Sequence, residues 1–530
     1  MKRFLLVTCL VLAMVLPCFM FASCGKKATP NFEVPEVGYD GSAVTIRFDH
    51  TMGENLSTVL DDYIVEFNKL YPNITIVHEQ VGGYDDVREQ ISTQITAGNQ
   101  PNIAYCYPDH VALYNVAKAV TTLDNLIASE IVVTRADGTT EILGFTDEEI
   151  ADFIKGYYEE GMAFGDELMY SLPLSKSTEV LYYNKTFFDK HNLTLPTTWE
   201  EMEALCARIK EIDPDSIPLG YDSESNWFIT MCEQYGSDYT SATGDHFLFN
   251  NETNFNFVKM FREWYDKGYV TTKELYGSYT SGLFTTLGES YTNENGQKVT
   301  VTKSYMSIGS SAGATHQRPA KDETTGEYPF VVGITSIPQI DPANPKVISQ
   351  GPSLCIFQKE NPQEVVASWL FVKYLTTTPE FQAEFSMASG YVPVIKSVGE
   401  NEGYKAWTDK ANGTDNIAAL SAKVCLEQAS AYFAVPAFNG SSMARDEVGK
   451  LMMKCFAGDA QGNVDAFVKQ AFEDAVDECE YAIQCHHSMA DEDDVYCPKC
   501  GEALKQVCPK CEAIVKEESK YCGNCGTKLN

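Results

Sequence analysis

Positive charge is scarce in this chain: 40 Lys and Arg stand against 74 Asp and Glu in 530 residues, a formal net charge of −34. So acidic a protein repels nucleic acid and anionic membrane surfaces, and a polyanionic partner is not expected. Evenly spaced cysteines are missing too. Of seventeen, three lie in the first 24 residues, six are scattered singly from Cys106 to Cys455, and eight crowd between Cys479 and Cys525. That distribution does not read as a disulfide framework. We find no nucleophile elbow, no His-Glu-x-x-His pair, no open metal site and no internal repeat, so an enzyme is not expected.

What is present, 44% hydrophobic and 22% charged residues, is the composition of a soluble globular protein. The length allows two to four folding units. Met1-Lys2-Arg3, an apolar run over residues 4–21 and Ala22-Ser23-Cys24 read as a signal peptide, residues 1–23. Small residues just before a cysteine look like a lipobox, which implies a diacylglycerol on Cys24 and a tether over residues 24–42. An uncleaved signal anchor is the alternative, since the run is near bilayer-spanning length.

Residues 44–48 (VTIRF) alternate like a strand, and Leu56, Leu60, Ile64 and Phe67 mark a helix ending before Pro72. A second strand at 74–78, a helix through Val87, Ile91 and Ile95 and a third strand at 102–107 continue the alternation. It predicts an α/β fold with a mainly parallel sheet, and places ligand candidates in the loops at 49–53, 81–85 and 107–110. Residues 170–212 hold a polar and proline segment, a β-branched run TEVLYY and a helix opened by Thr198 and Glu201 as a capping box. Strands are predicted at 329–337 and 346–357, a helix pair over 362–385, and helix over 448–481.

The words LYYNK and PTTWEEM, with FDHTMGE, GGYDD, AGNQPNI, YMSIGSSAG, QGPSL, SGYVP and FNGSSMAR in one order, resemble the extracellular solute-binding proteins (family 1) that deliver sugars and polyols to ABC transporters, and within them the glycerol-3-phosphate-binding branch. The resemblance covers residues 44–483. It implies a two-lobed, class II periplasmic-binding-protein fold over residues 43–484, with lobes discontinuous in sequence, and a monomer that captures a sugar, polyol or polyol phosphate and hands it to membrane permease subunits. It also implies ligand contacts at Tyr84, Ser177, Ser310, Gly351, Tyr391 and Arg445. An arginine fork with hydroxyl and amide donors suits a phosphate, and tyrosines suit a carbon skeleton with hydroxyls. Pro108-Asp109 stands where that branch uses a glutamate, so Asp109 is expected to take polyol hydroxyls; Asp49 stands where the family has tryptophan. Trp227 is the stacking candidate for a sugar ring. An exported sensory or adaptor receptor on the same fold, and an exported hydrolase, are the competing readings.

Cys508-x-x-Cys511 and Cys522-x-x-Cys525 have zinc-ribbon spacing, and four thiolates close a structural Zn²⁺ site. Cys497 and Cys500 then look like the second knuckle of a preceding ribbon. Its first knuckle holds Cys485, with His486 or His487 completing a Cys₃His set. Residues 485–530 are thus expected to be one or two zinc ribbons.

Overall fold

The computed structural model describes residues 28–286, 291–292, 298–299 and 303–483. Cys24 and the proposed zinc ligands from Cys485 to Cys525, His487 among them, lie outside the described residues.

Alternation carries β1 (Val44–His50) two residues past the predicted end, with Ile46 and Phe48 wholly buried. It is followed by α1 (Glu54–Leu70), β2 (Ile74–Gln80), α2 (Tyr84–Thr96), β3 (Ile103–Cys106) and α3 (Pro108–Val116). Next come β4 (Leu172–Pro173), β5 (Ser177–Asn184), α4 (Trp199–Ile212), β6 (Leu219–Tyr221), α5 (Glu224–Tyr235), α6 (Glu252–Asp266), β7 (Val270–Thr272) and β8 (Met306–Ser310). The chain then forms β9 (Val332–Thr335), β10 (Val347–Gln350), β11 (Ser353–Ile356), α7 (Pro362–Thr377), α8 (Pro379–Ser389), β12 (Tyr432–Phe433), α9 (Ser441–Ala457) and α10 (Val464–Ile483).

Two large sheets result, one per lobe, beside two small two-stranded ones at 132–142 and 291–299. The first runs β2-β1-β3-β11-β4, and the second β12-β10-β5-β8-β6-β7 with β9 also on β5. β1 lies parallel to β2 and β3, as predicted, but β11 is antiparallel to both β3 and β4, so the sheet is mixed. In the second lobe the Thr198 capping box forms as read: Thr198 Oγ1 accepts from the Glu201 N–H at 3.2 Å, and Trp199, Met202, Cys206 and Ile209 are the buried face of α4. The single strand predicted at 346–357 is two strands in different sheets, broken at Gly351-Pro352. The helix predicted at 448–481 is likewise two, separated by a turn whose Gly462 has φ +81°.

Both lobes have aromatic cores. Phe48, Phe67 and Phe371 pack in the first, while Trp199, Trp227, Phe261 and Trp264 pack in the second. Cys106, Cys206, Cys232, Cys355, Cys425, Cys455 and Cys479 are all free and buried, so Cys479 belongs to the α10 core rather than to the tail cluster. Part of the stretch expected as a tether, residues 24–42, is packed on the first lobe. Asn31 Nδ2 donates to Val120 O at 2.8 Å, its N–H donates to Thr122 Oγ1 at 2.8 Å, and Phe32 is buried, so the chain is docked on the first lobe from there on. Among the described residues no helix is long and apolar enough to cross a membrane.

The chain passes between the sheets at residues 174–176 and at Gly351-Pro352. Lys176, fully buried, ties these crossings together. Its Nζ donates to Glu160, to Gly351 O at 3.1 Å and to Ser353 Oγ at 3.0 Å. Gly351 has φ +97°, and a Cβ there would come within 2.7 Å of Ser175 O, so only glycine lets the crossings lie this close.

Candidate functional site

A cleft opens where the two lobes meet, in two chambers that share Ser223, Asn226 and Gln350. The first encloses about 350 Å³. Its first-lobe wall comes from the N-terminal turns of α2 and α3. Tyr84 opens α2, and Tyr107, Asp109 and His110 follow β3, where Pro108 at the start of α3 fixes the entry. The opposite wall is made by α5 and the first turns of α9, with Asn226, Tyr239, Ser442 and Arg445.

Chemistry converges on this space from both sides. Ser442 Oγ donates to Asp109 Oδ2 across the cleft. Burial alone would raise the Asp109 carboxyl, but the His110 ring, the Ser442 hydroxyl and the Arg445 guanidinium together hold it below the usual carboxylate value. Asp109 is therefore an anion able to accept ligand hydroxyls. Burial is also the main reason the His110 imidazolium is disfavoured, which leaves a neutral ring. Tyr84 lies over Tyr107 with centroids 4.6 Å apart, and burial, with Tyr391 close to both, raises their phenols. These rings offer an apolar face edged with hydroxyls.

On the other wall, Arg445 Nη1 donates to Asn226 Oδ1 at 2.7 Å. Asn226 Nδ2 in turn donates to Glu179 Oε1 at 3.1 Å, and Tyr221 OH donates to Glu179 Oε2 at 2.6 Å. Among the described residues no carboxylate lies within 4.0 Å of the Arg445 guanidinium, so its charge is available to a ligand. Glu179 is wholly enclosed, and burial pushes its carboxyl up to about 7, against the pull of Tyr221, Asn226 and Arg445. From the ordinary value of 4.5 up to about 7, the unfolded chain has released this proton while the folded chain keeps it. Stability is thus fully present below the unfolded value and declines as pH rises through the folded one. Glu179→Gln is expected to remove about 2 kcal/mol of the stability lost between pH 5 and 7, read as a flatter pH dependence of the urea midpoint.

Several wall atoms are buried without a partner. His110, Tyr239 and Ser349 belong to the first chamber's wall and Gln317 to the second's, but His110 Nδ1, Tyr239 OH, Ser349 Oγ and Gln317 Oε1 are themselves buried within the protein, with no hydrogen-bond partner among the described residues.

The eight residues expected to touch ligand fall into five places. Tyr84, Asp109 and Arg445 line the first chamber, and Ser310 lines the second. Tyr391 backs Tyr84. Ser177 and Gly351 lie in the crossings beside the chambers rather than in their walls, where Gly351 serves backbone approach and accepts from Lys176. Trp227 is corrected outright. It is fully buried, stacked on Tyr221 at 4.6 Å and packed on Phe261 at 4.2 Å, so it cannot meet a sugar.

Glu179, Asn226, Ser442 and Gln317 went unread, whereas Tyr107 fell in the 107–110 loop already marked as a ligand candidate. Only the position of Glu179 in TEVLYY, a carboxylate inside a buried strand, could have signalled its role. Contrary to the reading that no nucleophile elbow is present, Gly309-Ser310-Ser311-Ala312-Gly313 matches that pattern at a strand-to-helix turn. Ser311 is nevertheless wholly buried, its Oγ accepts from the Thr178 N–H at 3.1 Å, and no histidine among the described residues bonds to it. It is a structural serine.

A family profile described as Bacterial extracellular solute-binding protein matches residues 62–412, and one described as Double zinc ribbon matches residues 482–526. The sn-glycerol-3-phosphate-binding periplasmic protein UgpB of Salmonella typhimurium is 24% identical over 395 residues, covering 71% of this chain and 80% of that protein. Among solved structures, UgpB from Mycobacterium tuberculosis in complex with glycerophosphocholine superposes with TM-score 0.62 at 16% identity, covering 84% of this chain and 100% of that one. The cyclic alpha-maltosyl-1,6-maltose binding protein from Arthrobacter globiformis gives TM-score 0.62 at 18% identity, covering 83% and 99%. The described residues hold no cluster of three or more metal-ligating side chains.

Proposed function

Because this chain belongs to the bacterial extracellular solute-binding proteins, we propose that it is the substrate-binding component of an ABC importer, that it captures a carbohydrate or a glycerol-3-phosphate-like polyol phosphate outside the cytoplasm, and that it delivers this ligand to a membrane permease. The observation that carries this reading is the placement of an anionic Asp109 on one lobe opposite the Arg445–Asn226 pair on the other. A ligand touching both favours the closed arrangement over the open one, and closure is the signal a permease would read. Asp109 accepts hydroxyls, Arg445 takes a phosphoryl group or further hydroxyls, and the Tyr84–Tyr107 pair covers the carbon skeleton. In this reading the chain acts as a monomer and is held at the outer face of the membrane through a lipid on Cys24.

Titration calorimetry of the purified protein with glycerol 3-phosphate, glycerophosphocholine, glucose and maltotriose tests the ligand class; heat from none of them would reject it. Fatty-acid labelling that persists in Cys24→Ala would reject the anchor.

The receptor or adaptor reading is favoured by one observation, the double zinc ribbon match at residues 482–526. The donor chemistry there fits Zn²⁺: Cys508, Cys511, Cys522 and Cys525 supply four thiolates, and Cys497, Cys500, Cys485 and His487 a second set. A closed site of this kind folds a segment too small for its own core, without doing chemistry. Chelation of the reduced full-length protein is expected to release zinc and leave ligand affinity within about twofold; absence of zinc from the metal analysis would dismiss the ribbon.

A further inference from the structure

Glu179 lies inside β5 with 1% of its surface exposed, and among the described residues no Lys, Arg or His nitrogen comes within 4.0 Å of its carboxyl. Each of its oxygens is served by a neutral donor, Oε2 by Tyr221 OH at 2.6 Å and Oε1 by Asn226 Nδ2 at 3.1 Å. Asn226 passes the polarity on, since its Oδ1 accepts from Arg445 Nη1 at 2.7 Å. One amide thus separates a buried carboxyl from an arginine of the first chamber's wall. The charged and titratable groups acting on Glu179 are Tyr221 and Asp222 at the end of β6 and Arg445 on α9. The neighbouring strands bring neutral side chains, Ser310 of β8 opposite Glu179, and Ser349 and Gln350 of β10 opposite Thr178 and Ser177. Gln428 Nε2 donates to the Glu179 backbone oxygen at 3.4 Å, and Tyr279 and His316 line the same chamber as Glu179.

Burial, set against Tyr221, Asn226 and Arg445, leaves this carboxyl partly protonated in neutral solution, with its midpoint at about 7. In the empty cleft the positive charge of Arg445 favours the ionised form. An anion seated on Arg445 cancels that attraction and adds repulsion of its own, so Glu179 then keeps its proton to higher pH. Binding therefore takes up a proton, and by linkage affinity falls as pH rises through the midpoint. Hydrogen-bond polarity permits the change. A proton on Oε2 turns toward Tyr221 OH, which can accept it, and Oε1 still accepts from Asn226, so the hold on Arg445 is kept.

We propose that Glu179 is a buried proton switch on the affinity of the cleft for phosphate esters: protonated, it leaves the full charge of Arg445 to the ligand, and ionised, it draws on that charge through Asn226. The protein then holds such a solute more tightly in acidic surroundings than in alkaline ones. This inference rests on the reading of Arg445 as the contact for a phosphoryl group and concerns the regulation of that contact.

Calorimetry of the full chain with glycerol 3-phosphate and with glycerophosphocholine, from pH 6.5 to 8.5 in buffers of different ionisation enthalpy, reads both the affinity and the protons exchanged. Uptake of about half a proton is expected near pH 7.5, with affinity falling about fivefold across the window. Glycerophosphocholine has no group that titrates there, and burial keeps His110 neutral, so the proton count with that ligand belongs to Glu179. Glu179→Gln is expected to abolish the uptake with glycerophosphocholine. Tyr221→Phe takes a donor from the carboxylate and is expected to move the profile to higher pH, which a merely structural role would not do. His316→Gln, at an exposed position, is expected to keep the wild-type slope. Binding with equal proton uptake in the wild type and Glu179→Gln overturns the switch and leaves solute binding standing, as does loss of the slope in His316→Gln. Binding of neither ester overturns the switch and the phosphate reading together, and heat from maltotriose under the same conditions leaves the carbohydrate reading in place.

Discussion

Arg445→Ala is expected to lower affinity for the tightest-binding solute about a hundredfold, because hydrogen bonds to a charged group contribute about 1.5–3 kcal/mol when the site is desolvated. The guanidinium is held in position before ligand arrives. Asn226 accepts one of its N–H groups at 2.7 Å, and Asn226 is fixed in turn by Glu179, itself held by Tyr221. Arg445 lines the first chamber near the N-terminal turn of α9, whose dipole adds positive potential. Arg445→Lys should recover only part of the loss, since an ammonium cannot keep Asn226 and present a planar fork at once. Calorimetry decides the matter. A loss smaller than about threefold for Arg445→Ala would mean that the guanidinium does not touch the ligand.

A comparable effect on stability is expected at the crossings between the lobes. Lys176→Met should cost about 3–5 kcal/mol, because removing one partner strands the other charge in the interior. Lys176 and Glu160 are both buried, and the ammonium also serves Gly351 O and Ser353 Oγ. A change confined to the charge should be far milder when both partners go, so Lys176→Met with Glu160→Gln is expected to recover most of the loss. Urea unfolding gives the comparison. If the single variant costs less than about 1 kcal/mol, Lys176 is not what ties the crossings.

Much of the fold was legible because its local signals were strong. The Thr198–Glu201 box and the buried spacing of Trp199, Met202, Cys206 and Ile209 specify α4 from neighbouring residues alone. β1, β2 and β3 and their helices follow from periodicity in the same way. The return of β11 and β4 antiparallel to β3 was not legible, because nothing local records which strand a later segment will join. Gly351 is instructive in this respect. As a letter it fitted a ligand contact, but its φ of +97° and the nearness of Ser175 O make it a crossing point between sheets.

The candidate site was legible in part for a related reason. Tyr84, Asp109 and Arg445, far apart in the chain, come together only because the two lobes meet. Their resemblance to a known pattern pointed to them; their spacing did not. Trp227 failed because an aromatic on a helix carries no mark of which way it faces, and the second lobe's core claimed it. Glu179 and Asn226 were missed because each becomes functional only through the next residue in the relay to Arg445.

A crystal structure of the full chain with the tightest-binding solute from the calorimetry tests the central claim most directly. Ligand density is expected between the lobes, with a hydroxyl on Asp109 and an oxygen on Arg445. Ligand bound on one lobe alone, or outside the Tyr84–Arg445 cleft, would contradict it.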